Sequence, residues 1–432
     1  MAREMKDSGI SWIGQIPADW SIVKIKAGVH KVGSGKTPSG GATTYADEGI
    51  LFLRSQNVYD TGLELSNPTY ITPAVDEEMK GTRVFPNDVL LNITGGSIGR
   101  CCIFPESLKT ANVNQHVSII RVNQDIFLAE YMHYYWVSPL GSLAIDLYQT
   151  GGNREGMSAD AIKNTPIILI PLDEQRRICR VLDDECSKID SVLAKIRTSI
   201  EEYKKLKQAI ITQAVTKGIR GDRPMKESGV IWLDTVPAEW TISKIKYTIF
   251  PKEKPVLPMD EVITCFRDGT VTLRRNRREE GFTISFTENG YQGVDVGDLV
   301  IHGMDTFAGA IGCSDSRGKT SPVVHVCSTV GNNRYFMYFL RYMAYSGVLM
   351  DFSNGVRIRS SDFRNFKKLA VFEMLVPPLR EQNKIVDYLD STLAKIDQVI
   401  KQKEILISEL EACKKSAIYE YVTGKKEVPN AY

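Results

Sequence analysis

The chain has 432 residues, too many for one ordinary hydrophobic core, and the usual ~100 to 200 residues per domain implies two to four domains. Apolar residues make up 43%, charged residues 25% and aromatics 9%, with 33 Gly and 18 Pro, which excludes a disordered or collagenous chain. Lys plus Arg number 54 against 52 Asp plus Glu, so the net charge of +2 excludes a polybasic tail protein and leaves nucleic-acid binding to local patches.

The first residues carry no apolar stretch behind their basic groups, and no window approaches the ~18 apolar residues that span a bilayer, so a cytoplasmic protein is expected. Residues 5–26 read MKDSGISWIGQIPADWSIVKIK and residues 225–246 read MKESGVIWLDTVPAEWTISKIK, with 12 of 22 positions identical, among them Trp12 with Trp232, Pro17 with Pro237 and Trp20 with Trp240. Each copy is followed by an insert, 27–165 and 247–370. Short β-rich runs (Ile50–Leu53, Val89–Leu91, His116–Ile120) and aromatic helices (Ala129–Val137, Tyr335–Met343) predict mixed α/β domains there. Tyr131, Tyr134 and Trp136 fall at helical spacing in an apolar run and are expected in the core.

After each insert the repeat resumes: Pro171-Leu172-Asp173-Glu174-Gln175 matches Pro378-Leu379-Arg380-Glu381-Gln382, and Lys188-Ile189-Asp190 matches Lys395-Ile396-Asp397. Steps of seven then give Leu182, Ile189, Ile196, Tyr203 and Ile210, with Cys186, Leu193, Ile200, Lys207 and Ala214 alongside. The second copy gives Leu389, Ile396, Lys403, Leu410 and Ala417, with Leu393, Ile400, Ile407, Lys414 and Tyr421. Neither run holds Pro or Gly, so each predicts a helix of ~40 residues and ~60 Å. Two tandem copies pairing through one face imply a pseudo-twofold and antiparallel helices. The expected divisions are 1–170, 171–218, 219–376 and 377–432.

Several motifs invite chemistry. Gly33-Ser34-Gly35-Lys36-Thr37 lacks the earlier Gly of a P-loop, having His30 there, and Pro38 follows where a phosphate-binding helix would begin. Asn67-Pro68-Thr69-Tyr70 approaches a base-flipping element of amino-methyltransferases, yet no glycine-rich cofactor turn precedes it, so an Asn-Pro turn is favoured. Glu78-Met79-Lys80 is a spacing that chance supplies. His116 and His325 are read as matching structural imidazoles, each before a β-rich run. The eight cysteines (101, 102, 179, 186, 265, 313, 327, 413) show no CxxC spacing and are expected as reduced thiols, not a metal site. Arg274-Arg275-Asn276-Arg277-Arg278 is the strongest charge cluster, and Arg with Asn is a set that reads guanine and adenine edges. The first insert holds 10 basic and 14 acidic residues, the second 16 and 13, so the first must rely on local groups such as Lys31, Lys36, Arg54, Gln56, Asn57, Arg100 and Arg154.

The twice-occurring Ser-Gly-x-x-Trp…Pro-x-x-Trp motif, the Lys-Thr-Pro-Ser loop at 36–39, the Asn-Asp-Val-Leu-Leu and Gly-Asp-Leu-Val-Ile strands at 87–91 and 297–301, and the Pro-Leu-x-Glu-Gln helices resemble the DNA-specificity subunit of type I restriction-modification systems over essentially the whole chain. The resemblance implies an α+β protein with two mixed α/β target recognition domains, each reading half of a split double-stranded DNA target, and two long antiparallel coiled-coil helices that set the unread gap. It implies no catalysis in this chain. Two adenine methyltransferase subunits would dock on the frame, with motor and nuclease subunits in the full complex, and S-adenosylmethionine, ATP and Mg would belong to those partners. Thr37, Lys319, Arg357 and Arg359 join the candidate DNA-binding residues. The second insert departs from the first by lacking the Lys-Thr-Pro-Ser loop and having Lys252-Glu253-Lys254-Pro255 near that place. The competing readings are a self-sufficient DNA adenine methyltransferase, for which no cofactor loop is found, and a coiled-coil scaffold, which has no need of two dissimilar inserts.

Overall fold

The computed structural model describes residues 3–149, 156–277, 288–351 and 363–428. The chain divides into two compact units, 1–196 with 405–432, and 197–404. The two long helices run Leu172–Thr216 and Leu379–Val422, 45 and 44 residues, so each contributes one end to either unit. At 1.5 Å per residue each is about 65 Å long.

In the first unit a four-stranded antiparallel sheet has the order Val29–Ser34, Val117–Val122, Val89–Asn92, Cys101–Ile103. A five-stranded mixed sheet with Ile50–Leu53 at its centre joins it, and the repeat strand Ser21–Lys24 pairs with Pro166–Leu169. The second unit repeats the four-stranded order as Ile249–Pro251, Val324–Thr329, Leu299–His302, Ile311–Cys313, and pairs Thr241–Lys244 with Glu373–Val376. Pairing Asn92↔Val117 in one ladder and His302↔Val324 in the other sets the equivalence of the two sheets. That register corrects one expectation: His325 corresponds to Ser118, inside its strand, while His116 stands before its strand and corresponds to Val323. Spacing to a β-rich run misled because the two approaches to the strand differ in length.

The repeat motif is a hydrogen-bonded anchor, built twice. Trp20 is buried and its indole N–H donates to Glu174 Oε2 at 3.0 Å; Trp240 does the same to Glu381 Oε2 at 3.0 Å. Arg3 bonds Glu174 and lies 4.8 Å from the Trp20 ring, while Arg223 bonds Glu381 and lies 5.3 Å from the Trp240 ring. The following glutamine ties its helix back to the chain before it: Gln175 Nε2 donates to Ile170 O and Gln382 Nε2 to Pro377 O. The same side chains accept from Leu128 N and Asn332 N at the entry to the aromatic helices. The paired tyrosines complete the pattern, with Tyr131 and Tyr335 donating to Ile168 O and Leu375 O, and Tyr134 and Tyr338 to Asp183 and Asp390. Tyr131, Tyr134 and Trp136 are core residues, as their spacing implies.

Every residue of the heptad rows is buried or half-buried, and the intervening positions are largely exposed. Within the first unit Lys414 Nζ donates to both Asp190 oxygens at 2.6 and 2.7 Å and Tyr421 Oη to Glu185, so the two helix segments run antiparallel. Within the second, Lys207 pairs with Asp397 and Lys403 lies over Tyr203, again antiparallel. Both Lys–Asp pairs join equivalent repeat positions, which accounts for lysines in an apolar seam. The helices stop at glycines of positive φ, Gly218 and Gly424, where a side chain would meet Trp240 and Trp20 respectively. No helix among the described residues is long and apolar enough to cross a membrane.

Candidate nucleic-acid interface

One end of the first unit's four-stranded sheet collects polar loops from four parts of the chain. Gly35 N donates to Val117 O and Lys36 N to Val113 O, which carries the chain past the Asn114–His116 turn; a Cβ on Gly35 would lie 2.1 Å from Val113 O, so only glycine permits this approach. Asn114 N donates to Leu53 O and Asn92 Nδ2 to Ser55 O, bringing in the 54–57 turn. The 93–100 loop joins through Ile93 N to His116 O. Thr37, Gln115, His116 and Thr94 then form a continuous chain of side-chain hydrogen bonds across that end.

Of the candidates, this end brings together Lys36, Thr37 and Gln56, all exposed, with half-buried Arg54 and Arg100. Arg54 lies 5.9 Å from the Tyr45 ring and Arg100 4.5 Å from that of Tyr59, so aromatic faces hold both guanidinium groups. Asn57 is buried and its amide closes the turn, accepting from Arg54 N and donating to Glu64 O. Lys31 sits apart toward the opposite end of the sheet, where its ammonium donates to Gly81 O at 2.6 Å and burial, with Arg121 nearby, lowers its pKa. Arg154, Arg278, Arg357 and Arg359 lie outside the described residues.

The equivalent end of the second unit is differently furnished. A hairpin of Ile263–Cys265 and Val271–Leu273 leads into the turn Arg274–Asn276. Arg274 and Arg277 share with His302, Asp305, Tyr291 and Ser321 the lining of a cleft of ≈ 770 Å³. Arg277 is bonded to Asp268 and stacked over Phe266 at 4.3 Å, its pKa raised by that carboxylate; Arg274 Nε donates to Thr264 Oγ1; Arg275 pairs with Glu261; Asn276 bonds Thr272 Oγ1. Lys319 pairs with Glu288 at 2.6 Å. His302 carries no sequence motif; its Nδ1 accepts from Asp305 N, and burial lowers its pKa despite Asp305. Neighbouring loops Lys252–Pro255 and Gly290–Gln292 line a second cleft of ≈ 610 Å³.

The motifs with apparent chemistry are structural. Ser34 ends a strand and no helix begins at Lys36, so Lys36 heads no phosphate-binding helix; Tyr70 begins a short strand; Glu78 ends the six-residue helix Pro73–Glu78. Six of the eight cysteines are buried, Cys313 is half-buried and Cys413 exposed, all as free thiols; burial pushes Cys186 up to about 11. Among the described residues no group of His, Cys, Asp and Glu is arranged to hold a metal ion.

Residues 17–202 match the family model of the type I restriction modification DNA specificity domain. The chain is 20% identical over 439 residues to the type I restriction enzyme MjaVIII specificity subunit of Methanocaldococcus jannaschii, covering 96% of this chain and 95% of that one. It is 24% identical over 186 residues to the Escherichia coli type I restriction enzyme EcoBI specificity subunit, covering 42% and 39%. A chain solved in work on complex assembly and conformational transition of the type I R-M system has the same fold, with a TM-score of 0.67 at 15% identity and coverage of 95% and 99%. With the doubled anchor, the two long helices and the two similar units, the chain is similar over almost its whole length to DNA-specificity subunits of type I restriction-modification systems, and residues 17–202 carry the match to their specificity domain.

Proposed function

We propose that each unit reads one half of a bipartite double-stranded DNA target through the polar end of its four-stranded sheet, and that the two long helices fix the gap between the halves. The observation that carries this reading is the contrast inside the repeat: the Trp–Glu–Arg anchor and Glu-Gln ties recur, while the loops at the equivalent sheet ends differ in nearly all their residues, even where 93–100 and 303–310 keep the same length and a glycine of positive φ. A symmetric frame with asymmetric loops suits a symmetric set of partners and an asymmetric target. In the first unit the reading groups are Lys36, Thr37, Arg54, Gln56, Arg100 and Arg154. In the second they are Arg274, Arg275, Asn276, Arg277, Arg278, Lys319, Arg357 and Arg359. Lys31 and Asn57 support their loops through the internal bonds described above.

The chain itself is the non-catalytic specificity subunit. Two methyltransferase subunits dock on the duplicated frame, motor and nuclease subunits complete the complex, and S-adenosylmethionine, ATP and Mg are bound by those partners. Mapping methylated adenines in host DNA with and without this gene tests the reading. Loss of one bipartite motif on deletion is expected; an unchanged methylation pattern would overturn it. A matched seven-residue insertion between Ile189 and Ile200 and between Ile396 and Ile407 keeps the seam and adds about 10 Å, near three base-pair steps, so the half-sites should persist while the gap grows. An active variant with the original gap would show that the helices do not set it.

A further inference from the structure

Resting on the reading of the first unit's sheet end as a DNA face, we propose that Gln115 reads an adenine of that half-site through its side-chain amide, with Thr37 and His116 as positioning residues that fix the amide's direction. Gln115 is exposed at the tip of the Asn114–Val117 turn, where Val117 N donates to Asn114 O at 3.1 Å. The close approach that Gly35 permits lays Thr37 beside it. Thr37 Oγ1 donates to Gln115 Oε1, and Gln115 Nε2 donates to His116 Nε2 at 3.2 Å. With Nε2 accepting, the imidazole proton is on Nδ1, which donates to Thr94 Oγ1 at 2.6 Å. Reversing the amide would require that proton to move and both threonine hydroxyls to turn, so the four groups hold one direction together.

The second unit builds the same turn without these side chains. Val324 N donates to Ser321 O as Val117 N does to Asn114 O, and Gly303 N donates to Val323 O as Ile93 N does to His116 O. Pro322 and Val323 stand there in place of Gln115 and His116, and neither has a side-chain hydrogen-bonding group. The backbone course therefore does not depend on the side-chain bonds. What they add in the first unit is an oriented amide on an exposed tip.

The chemistry of that amide selects the base. Each bonded end still has one N–H and one oxygen lone pair to offer. In the major groove adenine presents a neighbouring acceptor and donor, N7 and the N6 amino group, whereas the N7 and O6 of guanine both accept. An amide that supplies one donor and one acceptor is the complement of adenine. Lys36 and Gln56 are exposed at the same end of the sheet, and Lys36 supplies a cation for the phosphates flanking such a contact. A side chain ordered before binding loses little conformational freedom when it engages the base. Because Pro322 occupies the matching place, the contact belongs to one half-site only.

The test uses the complex assembled with its methyltransferase subunits and duplexes carrying the mapped target, in which each adenine of the first unit's half-site is replaced in turn by 7-deazaadenine, which lacks the N7 acceptor. The wild type should bind about fivefold more weakly at one position, and Gln115→Ala should bind the unmodified duplex about tenfold more weakly while losing the penalty at that position. A merely structural role for Gln115 would leave that penalty in place. Thr37→Val should shrink the penalty at the same position, and Thr37→Ser should keep it; a penalty unmoved by Thr37→Val would overturn the positioning role. If no adenine shows a penalty that Gln115→Ala removes, or if methylated-motif mapping shows Gln115→Ala relaxing a G·C position, the assignment is overturned. Lys36→Ala with Gln56→Ala and Arg100→Ala is measured in parallel: if it weakens specific binding while Gln115→Ala does not, the Gln115 contact alone fails, and if neither has an effect the reading of this sheet end as a DNA face fails with it.

Discussion

The anchors and the sheet ends are two regions of each unit under different physical demands. The anchor is the same object made twice: a buried indole, a glutamate that accepts from it, and an arginine stacked on the ring. The sheet ends share their strand order and the backbone course of the loops 93–100 and 303–310, but not the side chains they present. One presents Lys36, Thr37, Gln56 and Arg100 over a side-chain hydrogen-bond network, the other an arginine turn beside His302. Positions that must fit one another constrain each other's identity, whereas positions that meet an outside ligand are constrained only by it.

The anchors still differ in burial, and the largest expected effect exploits that difference. Arg223 is 6% exposed and Arg3 22%. Glu381→Ala leaves the Arg223 guanidinium buried with only the more exposed Glu239, and should cost about 3–5 kcal/mol. Glu174→Ala, whose arginine reaches water, should cost about 1–3 kcal/mol. Urea unfolding followed by tryptophan fluorescence checks both; equal losses would show that burial of the arginine does not decide the cost.

At the sheet end, Arg274, Arg275, Arg277 and Arg278 changed together to Ala should weaken DNA binding of the assembled complex. Removing an arginine that bonds a base bidentately costs about 1–3 kcal/mol, and removing one that pairs with a phosphate lowers the salt slope by about one. The fold should survive, because Arg275 and Arg277 are exposed. Unchanged affinity and salt dependence in a titration would reduce the cluster to a solvated turn.

A smaller effect separates the units by pH. His133 lies on the aromatic helix of the first unit, its Nδ1 without a partner among the described residues, and burial with Lys414 nearby lowers its pKa to about 4. The unfolded chain takes up that proton near pH 6.5, before the folded one does, so its share of stability is intact above ~6.5 and lost as pH falls toward 4. The tyrosine pairing places Met337 at the corresponding position of the second unit, where nothing titrates. His133→Met should flatten the pH dependence of the first unit's unfolding midpoint between pH 6.5 and 4.5; an unchanged slope would mean that other groups carry it.

Much of this frame is legible in the sequence because its determinants are local or repeated. The tryptophan motif, the Pro-Leu-x-Glu-Gln starts and the seven-residue seam all recur, and the structure gives each a partner. What sequence could not show is pairing across long separations. Arg3 and Arg223 precede the repeated stretch, and their role depends on a glutamate more than 150 residues away. Asp183 and Asp390 are two more charges on amphipathic helices until Tyr134 and Tyr338 meet them. Asn57 looks like a base reader in sequence, and its amide closes a turn. His302 has no motif; its place in a cleft depends on a hairpin some 30 residues earlier in the chain.

The most direct test of two independent readers on one frame is methylated-motif mapping in cells carrying Lys36→Ala, Gln56→Ala and Arg100→Ala together. The first unit's end of the sheet is altered and nothing in the second unit is touched. The expected result is a motif whose one half is relaxed or changed while the other half and the gap are retained. A change in both halves, or in the gap alone, would contradict the account.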